Sequence, residues 1–224
     1  MLNNTPPFWV YTGGFLLSLM AGLSNAVGVL GLAHQAVTHV TGTATLSGIA
    51  VAQGDLFAAA KASSVLVFFF FGAAVSGVLV RSETLRAGRR YGLALMVESA
   101  AIFAGWYLFK LGSMAGEYLC ALAFGLQNAL ATSYSGAVIR TTHMTGIVTD
   151  LGLMVGHALN RQPIAWFRFR ILITLLSGFC LGACGGALAF EALEYDALLI
   201  PAVVVGLAGV IYRSWRQLFA TEQL

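Results

Sequence analysis

Ten residues able to do chemistry stand in a chain that otherwise avoids it: Asn25, Thr38, His39, Thr41 and Gly42, then Asn128, Thr142, His143, Thr145 and Gly146. They are two copies of one pattern, offset by 103 residues at the Asn and 104 at the His. Thr45 and Gly48 extend the first copy where Thr149 and Gly152 extend the second. Amides and hydroxyls can hydrogen-bond a polar solute, and imidazole suits proton transfer at physiological pH. If each Thr-His-x-Thr-Gly opens a helix, Thr41 or Thr145 caps free backbone N–H groups. The helix dipole then offers partial positive charge to an anion, and Gly42 or Gly146 lets a ligand approach the backbone. The plainer reading is that Thr and Gly cap and pack a broken helix, that each His bonds a carbonyl, and that Asn25 and Asn128 hold helices together.

Three charged residues join them as coupling or gating candidates. Glu98 and Asp150 fall within apolar or short helical segments, where a carboxylate is a functional candidate by default. Arg140 is the expected partner of Asp150, and a structural ion pair is the competing reading. No metal-ligand spacing, dinucleotide fingerprint, phosphate loop or nucleophile elbow appears, so neither an enzyme nor a cofactor is expected. Cys120, Cys180 and Cys184 all lie in apolar runs and read as packing residues.

The elements that position these groups follow from composition. With 58% hydrophobic residues, 9% charged residues and a mean hydropathy of +0.83, the chain is an integral membrane protein. Apolar runs long enough to cross hydrocarbon are marked at 8–32, 65–80, 93–109, 118–138, 171–190 and 197–212, the second needing Ala58 to Ala62 to reach full length. The first opens with Pro6-Pro7, lacks a preceding basic residue and reads as an uncleaved helix. With six spans, Arg81, Arg86, Arg89, Arg90, Arg140, Arg161, Arg168, Arg170, Arg213 and Arg216 share one side, and only Lys61 and Lys110 the other. If the segments after the two motifs also crossed, the same charges would divide seven to five. Six spans are therefore expected, in the bacterial inner membrane, with both termini cytoplasmic. Trp9, Trp106, Trp166 and Trp215 read as an interfacial belt.

Three spans per copy is an odd number, so the second copy enters from the opposite face. The expected fold is all-α: one membrane domain, residues 1–224, of six transmembrane helices and two re-entrant half-helices. It is built as two inverted three-helix repeats, about 8–111 and 112–215. The segment 41–54 is too short to span and has no basic residue, which favours re-entry over lying flat in the interface. Ser18, Gly22 and Asn25, like Ala121, Gly125, Asn128, Thr132 and Ser135, form small polar stripes on the helices before each motif. Gly178, Gly182 and Gly186 form a packing seam, internal or between two copies of a homodimer.

The runs Ala21-Gly22-Leu23-Ser24-Asn25-Ala26 and Thr38-His39-Val40-Thr41-Gly42-Thr43, with Gly125-Leu126-Gln127-Asn128-Ala129 and Thr142-His143-Met144-Thr145-Gly146, resemble the YoaK-like family of bacterial membrane proteins. The resemblance covers about residues 14 to 212. It implies several membrane helices and a domain of unknown function. Members more usually carry Asp where Asn25 stands and Asn where Thr43 stands, so this chain lacks that carboxylate. The expected function is a small secondary transporter that moves a small anion or neutral polar solute by alternating access, with the two motifs meeting near the midplane. A passive channel, or a non-transporting sensor or interaction protein, are the alternatives. The expected partners are the lipid bilayer and the solute, without nucleic acid.

Overall fold

The computed structural model describes residues 8–31, 37–80, 90–135 and 140–219. The expectations placed on Pro6-Pro7, Arg81, Arg86 and Arg89, and on the side chains of Ser135 and Arg216, lie outside the described residues. The described chain is helical: α1 (Phe8–Leu30), α2 (Val40–Ala52), α3 (Leu56–Leu79), α4 (Arg90–Lys110), α5 (Ala115–Ser135), α6 (Met144–Leu159), α7 (Trp166–Leu193) and α8 (Leu199–Phe219). Six of these have 21 to 28 residues, while α2 and α6 have 13 and 16. A 21-residue helix is about 32 Å long, enough to cross hydrocarbon, and α2 at about 20 Å is not.

Helix boundaries follow from local chemistry. Asp55 caps α3, its Oδ1 accepting from the Ala58 N–H at 2.9 Å. The helix therefore begins at Leu56 rather than Val65, and Ala58 to Ala62 belong to it. Gly54 and Gly112 end their helices in the left-handed region, at φ 74 and 70. Between α7 and α8 the chain breaks at Glu194, φ 50, and turns through a 3₁₀ segment, Glu194–Leu198.

Among the described residues, four stretches qualify by length and apolarity as membrane-crossing: α1, α3, α4 and the 50 residues Trp166–Trp215 that hold α7 and most of α8. Large apolar side chains lie exposed on their outer faces, among them Phe70, Val78, Leu181, Leu188 and Ile211. The protein is a polytopic, membrane-embedded helical bundle.

Contacts give the helix directions. Phe15, Leu19 and Leu23 of α1 face Gly178, Gly182 and Gly186 of α7 in constant register, so the two run parallel. The same relation joins α3 to α5, where Phe68 stacks on Tyr118 at 5.4 Å and Gly72 rests on the Leu122 carbonyl. The α4 helix is antiparallel to α5, through Gly105 with Cys120 and Phe109 with Gly116. It is also antiparallel to α8, through Gly92 with Gly209 and Ser99 with Ala202. One end of the bundle gathers Gly31, Lys110, Gly116, Tyr195 and Asp196. The other gathers Val80, Tyr91, Leu130 and Tyr212.

The glycine seam on α7 is internal to the chain, because a side chain on Gly182 would collide with the Leu19 carbonyl of α1. Two further clashes mirror each other: Gly22 lies on the Phe179 carbonyl, and Gly125 on the Phe69 carbonyl. Each repeat thus packs its first helix on the other repeat's helix.

Candidate functional site

The short helices begin in the same way. His39 (φ −90, ψ 63) and His143 (φ −86, ψ 61) occupy the N-cap positions, and neither side chain makes a cap hydrogen bond. The expected caps, Thr41 and Thr145, lie inside the first turn and are exposed. Their carbonyls accept from the hydroxyls of Thr45 at 3.0 Å and Thr149 at 2.9 Å. The helix starts one residue after the His, so a threonine two further on has passed the capping position.

The duplicated Asn acts as a tether. Asn25 Oδ1 accepts from the Thr38 N–H and from the Thr38 hydroxyl, both at 3.1 Å. Asn128 Oδ1 accepts from the Thr142 N–H at 3.3 Å. Each amide pins the turn before a short helix to the preceding long helix, satisfying a backbone N–H that the short helix itself leaves without a partner.

The duplicated Gly makes room for the protein's own imidazole. A Cβ at Gly42 would meet His39 Nδ1 and Cε1 at 2.9 Å, and one at Gly146 would run into the His143 ring. The space expected for a ligand at each helix N-terminus is taken by the cap residue's ring.

The second turn is locked more heavily than the first. Ser18 Oγ lies 2.9 Å from the Thr141 carbonyl oxygen and 2.8 Å from that of Leu175. Gln127 Nε2 donates to the Leu17 carbonyl at 3.1 Å and to Thr141 Oγ1 at 2.9 Å. In the first repeat Ser24 and Val37 stand at the places of Gln127 and Thr141. Val37 packs into an apolar cluster with Leu23 and Phe124 instead.

The two motifs do not touch. The first turn is held at Asn25 of α1 and the second at Leu17 and Ser18, a separation of roughly 11 Å along that helix. Among the described residues α2 and α6 share no contact. Instead α2 folds back on α3, with Ser47 and Ser63 hydroxyls 2.8 Å apart, and α6 folds back on α7.

That second hairpin corrects the partner of Asp150. Its Oδ2 accepts from Arg168 at 2.8 Å, both side chains being more than a third exposed. Arg140 precedes the start of α6, whereas Arg168 is carried past Asp150 as α7 returns along it. An exposed pair of this kind contributes about 0–1 kcal/mol.

Glu98 is wholly buried, and neither carboxyl oxygen has a hydrogen-bond partner. The same holds for Glu117, on which the Lys61 ammonium acts electrostatically. Gln127 Oε1 and Thr142 Oγ1 are also buried without a partner. An unpaired carboxylate at such depth costs several kcal/mol, so the arrangement demands a counter-ion or a proton. Glu117, Gln127 and Thr141 escaped the sequence reading. Glu117 lies one residue outside the apolar run that begins at Tyr118, and Gln127 stood inside the duplicated Gly-Leu-x-Asn-Ala without a polar counterpart of its size.

At the Tyr91 end of the bundle lies a cavity of about 220 Å³, lined by Gly13 and Leu17 of α1, Tyr91 and Leu95 of α4, Leu130 of α5 and Tyr212 of α8. Thr141 also touches it, and the remaining wall is nearly all apolar. None of the ten motif residues lines it.

A membrane bundle whose paired Asn residues tether two half-length helices can be set against known proteins. The family model described as a protein of unknown function, DUF1275, matches residues 13–211. The chain belongs to the DUF1275 family. It is similar to the UPF0700 transmembrane protein YoaK of Bacillus subtilis (strain 168), 24% identical over 198 residues that cover 85% of this chain and 88% of that protein. No solved structure matches. The DUF1275 match takes in both motifs, Glu98 and most of the cavity wall.

Proposed function

We propose that the protein is a small secondary transporter built from inverted repeats, working by alternating access. Residues 31 and 56 lie at one end of the bundle, so the first motif segment leaves and re-enters on the same side. Six spans and two re-entrant half-helices follow from this reading. Corresponding helices of the two repeats then run in opposite directions: α1 against α5, α3 against α7 and α4 against α8. Among the described residues, Arg90, Arg140, Arg161, Arg168, Arg170 and Arg213 belong to the Tyr91 end and Lys61 and Lys110 to the other, a bias that supports reading the Tyr91 end as cytoplasmic in a bacterial inner membrane.

One observation carries the proposal. Gly116 and Gly13 are repeat counterparts, 103 residues apart. A Cβ on Gly116 would meet the Gly105 carbonyl oxygen at 2.6 Å and the Phe109 ring at 2.8 Å, whereas one on Gly13 meets nothing within 4 Å. The α4–α5 contact is shut at the outer end, and its counterpart between α1 and α8 is held open by the cavity. A symmetric scaffold in an asymmetric state supports a two-state carrier caught open to the cytoplasm. The solute enters that cavity rather than the short-helix N-termini, which the two imidazoles cover.

The test is cysteine labelling in oriented membrane vesicles, with Cys180 and Cys184 replaced by alanine. Gly13→Cys should react with an impermeant maleimide from the cytoplasmic side. Gly116→Cys should react from the outside at a slower but measurable rate, as the minor state is visited. A Gly116→Cys that never labels means the outer end does not open, and the carrier reading fails.

A further inference from the structure

The cavity stops about one helical turn short of a buried carboxyl. Tyr91 and Leu95 line the cavity from α4, and Glu98 is the next residue on the same helical stripe, one turn deeper. The register that pairs Gly105 with Cys120 and Phe109 with Gly116 sets Glu98 level with Gln127 of α5. Gln127 in turn stands one turn deeper than Leu130, another wall residue. Neither side chain lines the cavity, but one turn beyond its inner end lie partnerless acceptor oxygens, both of Glu98 and Oε1 of Gln127, which a guest reaches by passing the Leu95 and Leu130 level. The mouth carries three aromatic rings, Trp9, Tyr91 and Tyr212, the last two with centroids 6.4 Å apart. Aromatic faces attract cations, and an apolar wall accepts alkyl groups.

Resting on the carrier reading above, we propose that this site binds a compact organic ammonium ion and that Glu98 exchanges a proton for it. The carboxyl holds one proton when the site is empty. As the cation enters, that proton leaves to water through the cavity and the carboxylate becomes the counter-ion, so the charge of the site is conserved. Titratable and charged groups on the packed elements stand about two turns or more from the level of Glu98. Among the described side chains these are Arg90, Tyr91, Tyr107 and Lys110 on α4 itself, Glu117, Tyr118 and Cys120 on α5, Tyr212 and Arg213 on α8, Glu194, Tyr195 and Asp196 in the 3₁₀ turn, and Lys61 on α3. The pH dependence of binding is accordingly that of one group.

Calorimetry on the purified full-length protein tests this with choline as probe and neohexyl alcohol as its uncharged carbon isostere. Wild-type protein should bind choline saturably at alkaline pH, with affinity falling about tenfold for each pH unit once the proton competes. Glu98→Gln should weaken choline binding by about tenfold or more while leaving the isostere's weak binding unchanged, which shows the cavity intact. Glu117→Gln, at the opposite end of the bundle, should bind choline as the wild type does. Choline binding that is absent from the wild type, insensitive to Glu98→Gln, or equal to that of the isostere at every pH overturns the proposal. Each of these outcomes is independent of Gly116→Cys labelling, which tests the carrier reading alone.

Discussion

At the residue scale, the duplicated Thr-His-x-Thr-Gly motif is a device for starting a helix inside a bundle. The His takes the N-cap, the Gly three residues on leaves space for its ring, and the preceding Thr is tied to the Asn of the long helix. Restoring a Cβ at Gly42 must displace the His39 imidazole. Gly42→Ala is expected to lower stability by about 1–3 kcal/mol, the usual range for overpacking. His39→Ala combined with Gly42→Ala should recover most of that loss, because the ring in the way is gone. Thermal unfolding of the two variants decides it, and a Gly42→Ala protein as stable as the wild type removes the ring from this position. The repetition of these residues was plain in the sequence. Their division of labour was not, since a two-residue difference in where the helix starts turns Thr41 from cap to interior residue. Nor could spacing alone separate Arg140 from Arg168 as partner of Asp150, for that depends on α6 doubling back along α7.

At the element scale, small residues set how closely helices approach, and the tight contacts cross between repeats. Gly22 on Phe179 and Gly125 on Phe69 are the same contact made twice. Such crossings leave no volume for a side chain, because the opposing atom is a backbone carbonyl that cannot swing aside. Gly22→Val should therefore cost about 3 kcal/mol or more, or prevent accumulation of folded protein. Gly185→Ala, on α7 with nothing within 4 Å of a new Cβ, should stay within about 0.5 kcal/mol of the wild type. Equal effects of the two changes on melting temperature in detergent would show that the α1–α7 seam is not close-packed. Periodicity revealed the Gly178, Gly182 and Gly186 stripe but could not say what covered it, since a seam within the chain and one between two copies have the same sequence signature. The α5 helix was visible as an apolar run, yet Glu117, Gln127 and Asn128 dilute its hydropathy. It falls outside the stretches that qualify by apolarity although it is the most enclosed of the helices. Buried polar groups make a central helix look less like a membrane span than its lipid-facing neighbours.

At the scale of the whole molecule, the duplication of the motif was readable in the sequence, and the difference in packing around its two copies was not. Asymmetry is a property of packing: Gly13 and Gly116 are the same letter in equivalent places, one facing a cavity and the other a carbonyl. This difference predicts opposite outcomes for the same substitution. Gly116→Leu drives a side chain into Gly105 and Phe109 and should destabilise the protein by about 1–3 kcal/mol. Gly13→Leu enters open space in a helix, where leucine also has the better propensity, and should leave stability unchanged or raise it by up to about 1 kcal/mol. Filling the cavity should meanwhile abolish choline binding, separating occupancy of the site from integrity of the fold. If the bundle were symmetric in solution, the two leucines would cost the same, and the proposed state open to the cytoplasm would have no physical basis in the packing.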